Sequence, residues 1–534
     1  MLAVAEPPDL QTSDSKREVR RELRNFARRQ ERRRHLLPRA LLVGLIAGLV
    51  AVLFRRTLDV ADVWRNAFFT AAHAMRTWGL PLAIVTCALI AGLAVWLVRR
   101  FAPEASGSGI PQVKAVLHRL RSMDWRRVLV VKFIGGTLGI GTGLALGREG
   151  PTVQMGAAVG QMISRWLRVT PRERLTLIAA GAGAGLAAAF NAPLAGVIFV
   201  LEELRRDFSP GILTAGFVAS VTADLVTRFL IDQTPVFHVA SSPVPALSSL
   251  PLFVVLGLAA GLVGVCFNRG LLGTLNVFSR LREWPFVAGS LVGAAVGITG
   301  WYLPDVLGGG GAIVQQTLAG KVALTALPAL LLIRFALTMG SYSSGAAGGI
   351  FAPLLVIGAQ LGLMIGLVGQ QWFPAIQAQP VAFAVVGMGA LFAAIVRAPL
   401  TGIVLILEMT ENYSLMLPLL VACFVAYLFA DVLRDQPIYE ALLERDLIRG
   451  QEMTELEGPL VIDLSVGPGA PFVGRRLDEI SLPTGCLIVS IQRGLRNDVP
   501  SRDTVLRPGD RVTVVIAATA AESLPLLREC LEGS

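Results

Sequence analysis

Apolar runs recur along this chain from about Leu36 to Ala430, and no polar gap between them is as long as a domain. Charged residues make up only 16% of the 534 residues, whereas an ordinary soluble protein carries roughly 25%. Two of the runs, Leu41–Phe54 and Pro81–Val98, approach the ~20 residues that a helix needs to cross a bilayer. We therefore predict an all-α polytopic membrane protein, with one membrane domain over residues 37–446.

Glycine-rich stretches interrupt the apolar runs, and glycine reaches 55 of 534 residues overall. A helix that is broken at membrane depth survives only where protein or a water-filled cavity receives the freed backbone groups. Such breaks are typical of ion or substrate sites in transporters. We expect breaks at four stretches: Gly135–Gly150, Gly181–Gly185, Gly308–Gly311 and Gly345–Gly349.

The chain also repeats itself at two closely similar spacings. The pattern Gly-x-x-x-Pro-x-x-x-x-Gly-x-x-x-Gly begins at Gly147 and again, 202 residues later, at Gly349. A second block, from Gly181 to Glu202, recurs 206 residues later and ends at Glu408. Because Pro and Glu match as well as the small residues, general Gly/Ala enrichment of membrane helices is the weaker explanation. We predict a duplicated transporter-like fold with paired broken helices.

The segment before the first apolar run is strongly basic. Residues 1–39 hold eleven Lys/Arg and six Asp/Glu, which gives +5 of the net charge of +10. Basic segments that flank a membrane helix stay on the cytoplasmic side, so residues 1–36 are expected to form a cytoplasmic N-terminal segment. A nucleic-acid-binding arm is the competing interpretation, but no aromatic or base-reading module accompanies the basic run.

Three of the breaks share a form that suits anion binding. They read GSGIP at 107–111, GREGP at 147–151 and GIFAP at 349–353, each a glycine turn followed by a proline. Proline is tolerated in the first turn of a helix, and a helix N-terminus presents unpaired N–H groups and the positive end of the helix dipole. One such motif is as easily a plain helix break. Three in one membrane domain favour an anion site that binds and still releases its ion.

Carboxylates in apolar surroundings are costly and therefore point to function. Glu149 lies in the second motif, where it is able to occupy the anion site as a built-in competitor and leave on protonation; a structural ion pair with Arg148 is the alternative. Glu202 and Glu203 end the apolar run 192–201, either to carry protons inward or as ordinary helix-end carboxylates. Three basic residues are assigned only to helix-end snorkelling or general attraction of anions: Lys132, Arg334 and Arg397.

No metal, cofactor or enzymatic activity is expected. The five cysteines and four histidines are scattered through the chain without the spacing of metal ligands. No combination of nucleophile, acid and base converges on one motif.

These motifs together resemble the CLC family of chloride channels and proton-coupled chloride exchangers. The resemblance rests on GSGIP, GREGP and GGIFAP (348–353), on FNAPLAGVIFVLEE (190–203), and on Tyr439 in QPIYEALL. It covers about residues 35–446. It implies two repeats of inverted topology built from broken and tilted helices.

The resemblance also implies a role for each motif. Hydroxyl groups of Ser108 and Tyr439 would bind the central chloride, and the backbone N–H groups of Ile350 and Phe351 would complete its coordination. Glu149 would match the external gating glutamate and Glu203 the internal proton glutamate. Secondary candidates are their neighbours in sequence: Arg148, Gly150 and Glu202.

The expected function is therefore secondary active transport of chloride coupled to proton antiport. The alternative is a passive chloride channel gated by voltage or pH. The resemblance further implies a homodimer with one pathway per subunit in the cell (plasma or inner) membrane, with both termini cytoplasmic.

A smaller α+β domain is predicted over residues 458–534, after a linker at 447–457. Strands are expected at 460–466, 486–491 and 511–516, and helices at 473–480 and 522–530. CLIVSIQRG and VLRPGDRVTVVI resemble the RCK-C (TrkA-C) regulatory domain. A regulatory role with a ligand such as a nucleotide and mere stabilisation of a dimer are equally open. No glycine-rich phosphate motif is present, so the sequence names no ligand residues.

Overall fold

The computed structural model describes residues 13–75, 77–231, 237, 245–374, 378–449, 460–493, 496–517, 520 and 523–533. Most of the predicted linker and the first twelve residues lie outside these ranges. The chain divides into two compact units, one of Met1–Leu117 with Met123–Arg445 and one of His118–Ser122 with Asp446–Ser534.

The larger unit is helical throughout its described part. The helices of its first half are α1 (Ser13–Ala74), α2 (Gly79–Phe101), α3 (Ile110–Leu117), α4 (Trp125–Thr142), α5 (Glu149–Trp166), α6 (Pro171–Phe190), α7 (Pro193–Phe199) and α8 (Pro210–Leu230). Those of its second half are α9 (Leu250–Phe278), α10 (Pro285–Tyr302), α11 (Gly311–Leu318), α12 (Leu327–Ser343), α13 (Phe351–Trp372), α14 (Pro380–Val396), α15 (Pro399–Thr410) and α16 (Met416–Val432), followed by α17 (Ile438–Arg449).

The membrane class is confirmed by the length and composition of these helices. Within the described residues, seven segments are long and apolar enough to cross a bilayer: Leu36–Ala74, Gly79–Phe101, Pro210–Leu230, Leu247–Leu281, Pro285–Tyr302, Phe351–Trp372 and Tyr413–Val432. Other helices are apolar but shorter, such as α14 and α15. Helices too short to span are expected where a membrane domain carries breaks at depth.

Local sequence signals place the helix ends next to the predicted motifs. Helix α4 ends at Gly143, whose φ of 112° is a left-handed conformation that favours glycine. The chain is then free to turn into GREGP, and α5 begins inside that motif. Helix α6 starts with a capping box, because Thr170 accepts from the Glu173 N–H and the Glu173 carboxylate accepts from the Thr170 N–H.

The predicted duplication is visible in the order and packing of the helices. Helices α2 to α8 recur in sequence as α10 to α16. The repeated glycines mark equivalent helix contacts, because a Cβ on Gly156 of α5 would run into the Gly181 carbonyl of α6, and one on Gly358 of α13 would run into the Gly387 carbonyl of α14. Small residues at such crossings allow two helix backbones to approach closely.

Two carboxylates show that the halves are related by a two-fold rotation. Glu202, just after α7, accepts hydrogen bonds from the N–H of Leu400 (3.1 Å) and of Thr401 (2.7 Å) in the first turn of α15. Its repeat partner Glu408 in α15 accepts from the N–H of Leu194 (3.0 Å) and of Ala195 (2.8 Å) in α7. Such a reciprocal exchange is what a two-fold axis between repeats produces.

One of the four expected breaks is wrong. Gly181–Gly185 lies within α6, which continues without interruption to Phe190. Its glycines admit close neighbours instead, since a Cβ on Gly185 would collide with the backbone of Thr152. The break expected over Gly135–Gly150 is confined to the stretch between α4 and α5.

The smaller unit holds an antiparallel sheet of four strands in the order β1-β4-β2-β3. These strands are β1 (Leu460–Ser465), β2 (Cys486–Arg493), β3 (Arg496–Asp498) and β4 (Arg511–Ile516), and α18 (Leu524–Glu532) follows them. Alternate residues of β4, Val512, Val514 and Ile516, are buried, as expected for a sheet with one covered face. The helix expected at 473–480 is wrong: only the short turn Leu477–Glu479 is helical there.

Candidate functional site

The three glycine motifs of the larger unit are joined to one another by backbone hydrogen bonds. The Gly107 N–H donates to the Ala346 carbonyl (3.0 Å), and the Gly348 N–H donates to the Gly107 carbonyl (3.0 Å). Gly147 and Gly349, which are repeat equivalents, donate to each other at 2.7 and 2.8 Å. The motifs that lie far apart in the sequence therefore form one frame.

Ser108 lies inside the first motif and is fully buried. Its flanking residues, Gly107 (φ 62°) and Gly109 (φ 82°), both adopt the left-handed conformation that favours glycine. The Ser108 hydroxyl accepts from the Ile110 N–H at 3.3 Å. Its own proton is thus available as a donor at the start of α3.

The third motif forms the beginning of α13. Ile350 precedes this helix, Phe351 is its first residue, and both are completely buried. The first N–H groups of a helix have no acceptor within that helix. The Phe351 ring is held by three neighbouring rings, with centroids 4.5, 5.5 and 6.0 Å away: Phe392, Phe190 and Phe199.

Glu149 is the first residue of α5 and is 4% exposed. Its carboxylate is within reach of its own backbone N–H and of the Ala352 N–H at the start of α13, so it lies where two helix N-termini meet. Carboxylate oxygen Oε2 has no hydrogen-bond partner among the described residues. The carboxylate therefore occupies a position that is built to receive negative charge.

Arg148 does not hold Glu149 in an ion pair. No contact within 4.0 Å joins these two side chains, both of which the structure describes; the Arg148 guanidinium donates instead to the Ala189 carbonyl at 3.5 Å. Gly150 is needed for close approach, because a Cβ there would lie 2.7 Å from the Ser108 carbonyl oxygen.

Tyr439 belongs to α17 and is fully buried. Its hydroxyl group has no hydrogen-bond partner in the described part of the chain. The phenol lies within electrostatic range of both Glu149 and Glu203, and of Tyr342. A buried hydroxyl group without a partner is costly and is therefore a candidate ligand for an ion.

Two buried basic side chains hold the glycine breaks through hydrogen bonds to backbone carbonyls. The sequence did not predict this role. Lys132 is 0% exposed and its Nζ donates to the carbonyls of Ala105 (2.9 Å) and Gly107 (2.7 Å). Its counterpart Arg334, 202 residues later, donates to the carbonyls of Val306 (2.6 Å) and Gly308 (2.7 Å). The expectation of snorkelling at helix ends is wrong for both; the repeat spacing was the signal that pairs them.

Glu203 lies in a π-helical turn at Val200–Arg205 and is 1% exposed. Its Oε1 accepts from the Nζ of Lys114 in α3 at 2.8 Å. The same Nζ lies 3.5 Å from Oε1 of Glu440, which follows Tyr439 in α17. Sequence reasoning missed Lys114 and Glu440, because both fall in ordinary helical patterns.

The other candidates are placed differently from these central residues. The Glu202 carboxylate binds the first turn of α15 and is half-buried. Arg397 ends α14 in a left-handed conformation and donates to the Asp435 carbonyl at 3.2 Å. In the described ranges, no group of three or more His, Cys, Asp or Glu side chains is arranged to hold a metal ion.

The site thus combines helix N-termini, two buried hydroxyl groups and a carboxylate at a site suited to an anion. Buried helix starts and breaks of this kind within a duplicated membrane domain are typical of membrane transport proteins. The chain belongs to the voltage gated chloride channel (CLC) family, whose model matches residues 87–431. Residues 461–524 match the TrkA-C domain. Both resemblances read from the sequence are confirmed.

Curated relatives of this chain bear a transporter name. This chain is 43% identical over 390 residues to the H(+)/Cl(-) exchange transporter ClcA of Vibrio cholerae, and the alignment covers 71% of this chain and 83% of that protein. The protein of the same name from Citrobacter koseri is 42% identical over 388 residues, covering 71% and 81%.

Solved structures confirm the fold. A slow cyanobacterial Cl-/H+ antiporter aligns with a TM-score of 0.74 and 38% identity over 78% of this chain and 98% of that one. A CLC-type fluoride/proton antiporter aligns with a TM-score of 0.63 and 23% identity, covering 74% and 95%. The second likeness concerns the fold alone.

Proposed function

We propose that this protein exchanges chloride for protons across a membrane. The observation that carries the proposal is the buried Glu149 carboxylate at the meeting point of two helix N-termini, with a second buried carboxylate, Glu203, elsewhere in the same unit. The exchanger names of its curated relatives favour this function over a passive channel.

The chloride site is formed around the central frame. Hydroxyl groups of Ser108 and Tyr439 donate to the ion, and the N–H groups of Ile350 and Phe351 complete its coordination. The burial of all four residues and the unpaired Tyr439 hydroxyl support this assignment. Lys132 adds positive charge behind Gly107 without contacting the ion.

Glu149 acts as the gate. When ionised, its carboxylate competes with chloride for the N–H groups at the two helix starts; when protonated, it loses its charge and leaves. The external proton is therefore taken up in the same event that admits the anion. Arg148 and Gly150 flank this position and shape access to it.

Glu203 exchanges protons with the cytoplasm at the inner end of the path. Tyr439 lies within electrostatic range of both acids, so the proton branch and the chloride site adjoin each other. Glu202 is only a secondary candidate for this branch, because its carboxylate already accepts hydrogen bonds from the first turn of α15.

Flux in liposomes tests the exchanger. The purified full chain is reconstituted, an outward chloride gradient is imposed, and internal pH is followed with a dye. We expect protons to enter against their gradient as chloride leaves. Protein-free liposomes are the control, and chloride flux without proton movement would show a channel instead.

The assembly is proposed to be a homodimer with one pathway per subunit, with both termini in the cytoplasm of the cell (plasma or inner) membrane. The basic charge of residues 1–39 supports the orientation. Counting bleaching steps of singly labelled protein in liposomes tests the dimer: two steps are expected, and single steps at full labelling would contradict it.

The TrkA-C unit is proposed to be regulatory, with a nucleotide as ligand. The match to the TrkA-C domain supports a regulatory unit. The full chain and a version that ends at Arg445 are compared in thermal-shift assays with nucleotides, including cyclic dinucleotides. Stabilisation of the full chain alone is expected, and no shift with any of them would leave dimer stabilisation as the role.

A further inference from the structure

Glu203 and three charged side chains near it form a cluster, which we call the inner ion cluster: Lys114, Glu203, Arg206 and Glu440. Lys114 Nζ is 2.8 Å from Oε1 of Glu203, and the side chains are 5% and 1% exposed. The same Nζ is 3.5 Å from Oε1 of Glu440, which is 32% exposed and also pairs with Arg206. The lysine thus has one buried and one half-buried carboxylate within reach.

The charges in this cluster balance only when Glu203 is ionised. Two cations then face two carboxylates, whereas protonation of Glu203 leaves a net charge of +1. The charged groups that act on Glu203 in the described residues are Lys114, Arg206 and Glu440, and the Tyr439 phenol is in electrostatic range. Helices α6 and α8 also pack on this turn but add no charge to that set.

Lys114 also connects the separate parts of the pathway. It lies on α3, whose start follows Ser108, and Glu440 directly follows Tyr439 on α17. A movement of the ammonium group from one carboxylate to the other therefore acts on α3, which begins two residues after Ser108, and on α17, which carries Tyr439.

We propose that Lys114 is a positioning residue of the proton branch: it pairs with Glu203 while that carboxylate is ionised and moves to Glu440 when Glu203 binds a proton. This inference rests on the proposed role of Glu203. Protonation of Glu203 removes the negative charge that attracts the ammonium, so this pair weakens while the attraction of Glu440 remains. Glu440 is the second carboxylate that this ammonium already contacts. The proton goes from water to a Glu203 oxygen.

Infrared titration of the full chain in liposomes tests the pairing directly. The carboxylic acid C=O band of Glu203 is assigned by its loss in Glu203→Gln and followed against pH. In Lys114→Met we expect the pH midpoint of this band to rise by about 1–3 units, because an opposite charge at this distance favours the ionised form by that amount. Lys114→Arg keeps the charge and is expected to stay near the native midpoint. A midpoint unchanged in Lys114→Met would overturn the proposal.

Glu440→Gln tests the second half of the movement, and its half-buried position makes loss of folding a lesser concern. This variant keeps the resting pair but removes the carboxylate that receives the ammonium. We expect proton turnover in the flux assay to fall about tenfold, the change that one pH unit of protonation equilibrium represents, while the chloride site still binds its ion. Native proton turnover in Glu440→Gln would contradict the hand-over.

A double variant in which both partners are neutral distinguishes a folding defect in Lys114→Met from the loss of the ion pair itself. Removing the lysine alone leaves a buried unpaired carboxylate, whereas Lys114→Met combined with Glu203→Gln removes both charges. We expect the double variant to melt at a higher temperature than Lys114→Met; equal melting temperatures would contradict a direct pair. Absence of proton coupling in the native protein would overturn the proposed function, while the infrared midpoint reports on the Lys114–Glu203 pair whether or not transport occurs.

Discussion

The hydroxyl oxygen of Tyr342 lies 2.9 Å from the position that a Cβ on Gly107 would take. Tyr342 lies in the last turn of α12 in the second half and is buried, while Gly107 opens the first motif. The first motif is thus fitted against a residue of the other half, and the glycine is required both for its φ of 62° and for this close approach.

Replacement of this glycine should therefore damage the chloride site. For Gly107→Ala we expect a loss of about 1–2 kcal/mol in stability from the left-handed backbone alone, and weaker chloride binding, measured by calorimetry in detergent. Gly107→Ala combined with Tyr342→Phe removes the nearest contact, at the hydroxyl oxygen, but leaves the ring carbon Cζ at 3.1 Å and the backbone strain, so it should recover only part of the loss. Full recovery would show that the backbone conformation is not under constraint.

Glu149→Gln should separate the two fluxes. The neutral amide no longer competes as an anion and no longer takes a proton, so we expect chloride flux within about tenfold of the native rate, a barrier change of about 1.4 kcal/mol. Proton coupling and the rise of flux at acidic pH should both disappear in liposome assays. Glu283→Gln, on an exposed residue, is the control. Coupling that persists in Glu149→Gln would contradict the gate assignment.

Lys132→Met and Arg334→Met form a matched pair, because each cation donates to two backbone carbonyls of a glycine break. Each loss removes a donor from buried carbonyls, at about 1–3 kcal/mol for a group that is left unpaired, although the Gly107 carbonyl keeps the Gly348 N–H. Both variants should therefore melt at a lower temperature. Of the two, only Lys132 donates to the Gly107 carbonyl, so only Lys132→Met should also weaken chloride binding. Equal loss of chloride affinity in both variants would count against a local role for Lys132.

The reciprocal carboxylates Glu202 and Glu408 offer a test of the secondary proton candidate. Both Glu202→Ala and Glu408→Ala should destabilise the chain by about 1–3 kcal/mol, since each leaves helix N–H groups without a charged acceptor. If Glu202 serves only α15, both variants should move protons alike at matched protein amounts. A proton defect confined to Glu202→Ala would assign it a transport role as well.

Much of the architecture is predictable because it follows from the apolar runs and the repeats. The apolar runs gave the membrane class, and the repeated Gly-Pro pattern gave the duplication that α5 and α13 realise. The break at Gly181–Gly185 was wrong because a glycine run has two uses, helix interruption and close helix packing, and only the neighbouring α5 backbone decides between them.

The ionic environment of the site was not predictable from one sequence. Lys114 lies 89 residues from Glu203, and no periodicity records that α3 and the π-helical turn meet. The sequence predicts snorkelling for Lys132 and Arg334, because backbone carbonyls accept their hydrogen bonds and no sequence pattern indicates such acceptors. The helix expected at 473–480 was likewise replaced by a short turn, since Gly474 adopts a φ of 77°.

The backbone ladder at the site limits how this protein is able to move. Gly147 and Gly349 exchange two hydrogen bonds, and Gly107 makes two more with the other half. Pulling the halves apart at this point would break four buried hydrogen bonds, and each buried group left unpaired costs about 1–3 kcal/mol. Rocking of one whole half against the other is therefore disfavoured at the proposed ion site, and turnover should be governed by single side chains that swing inside an immobile scaffold.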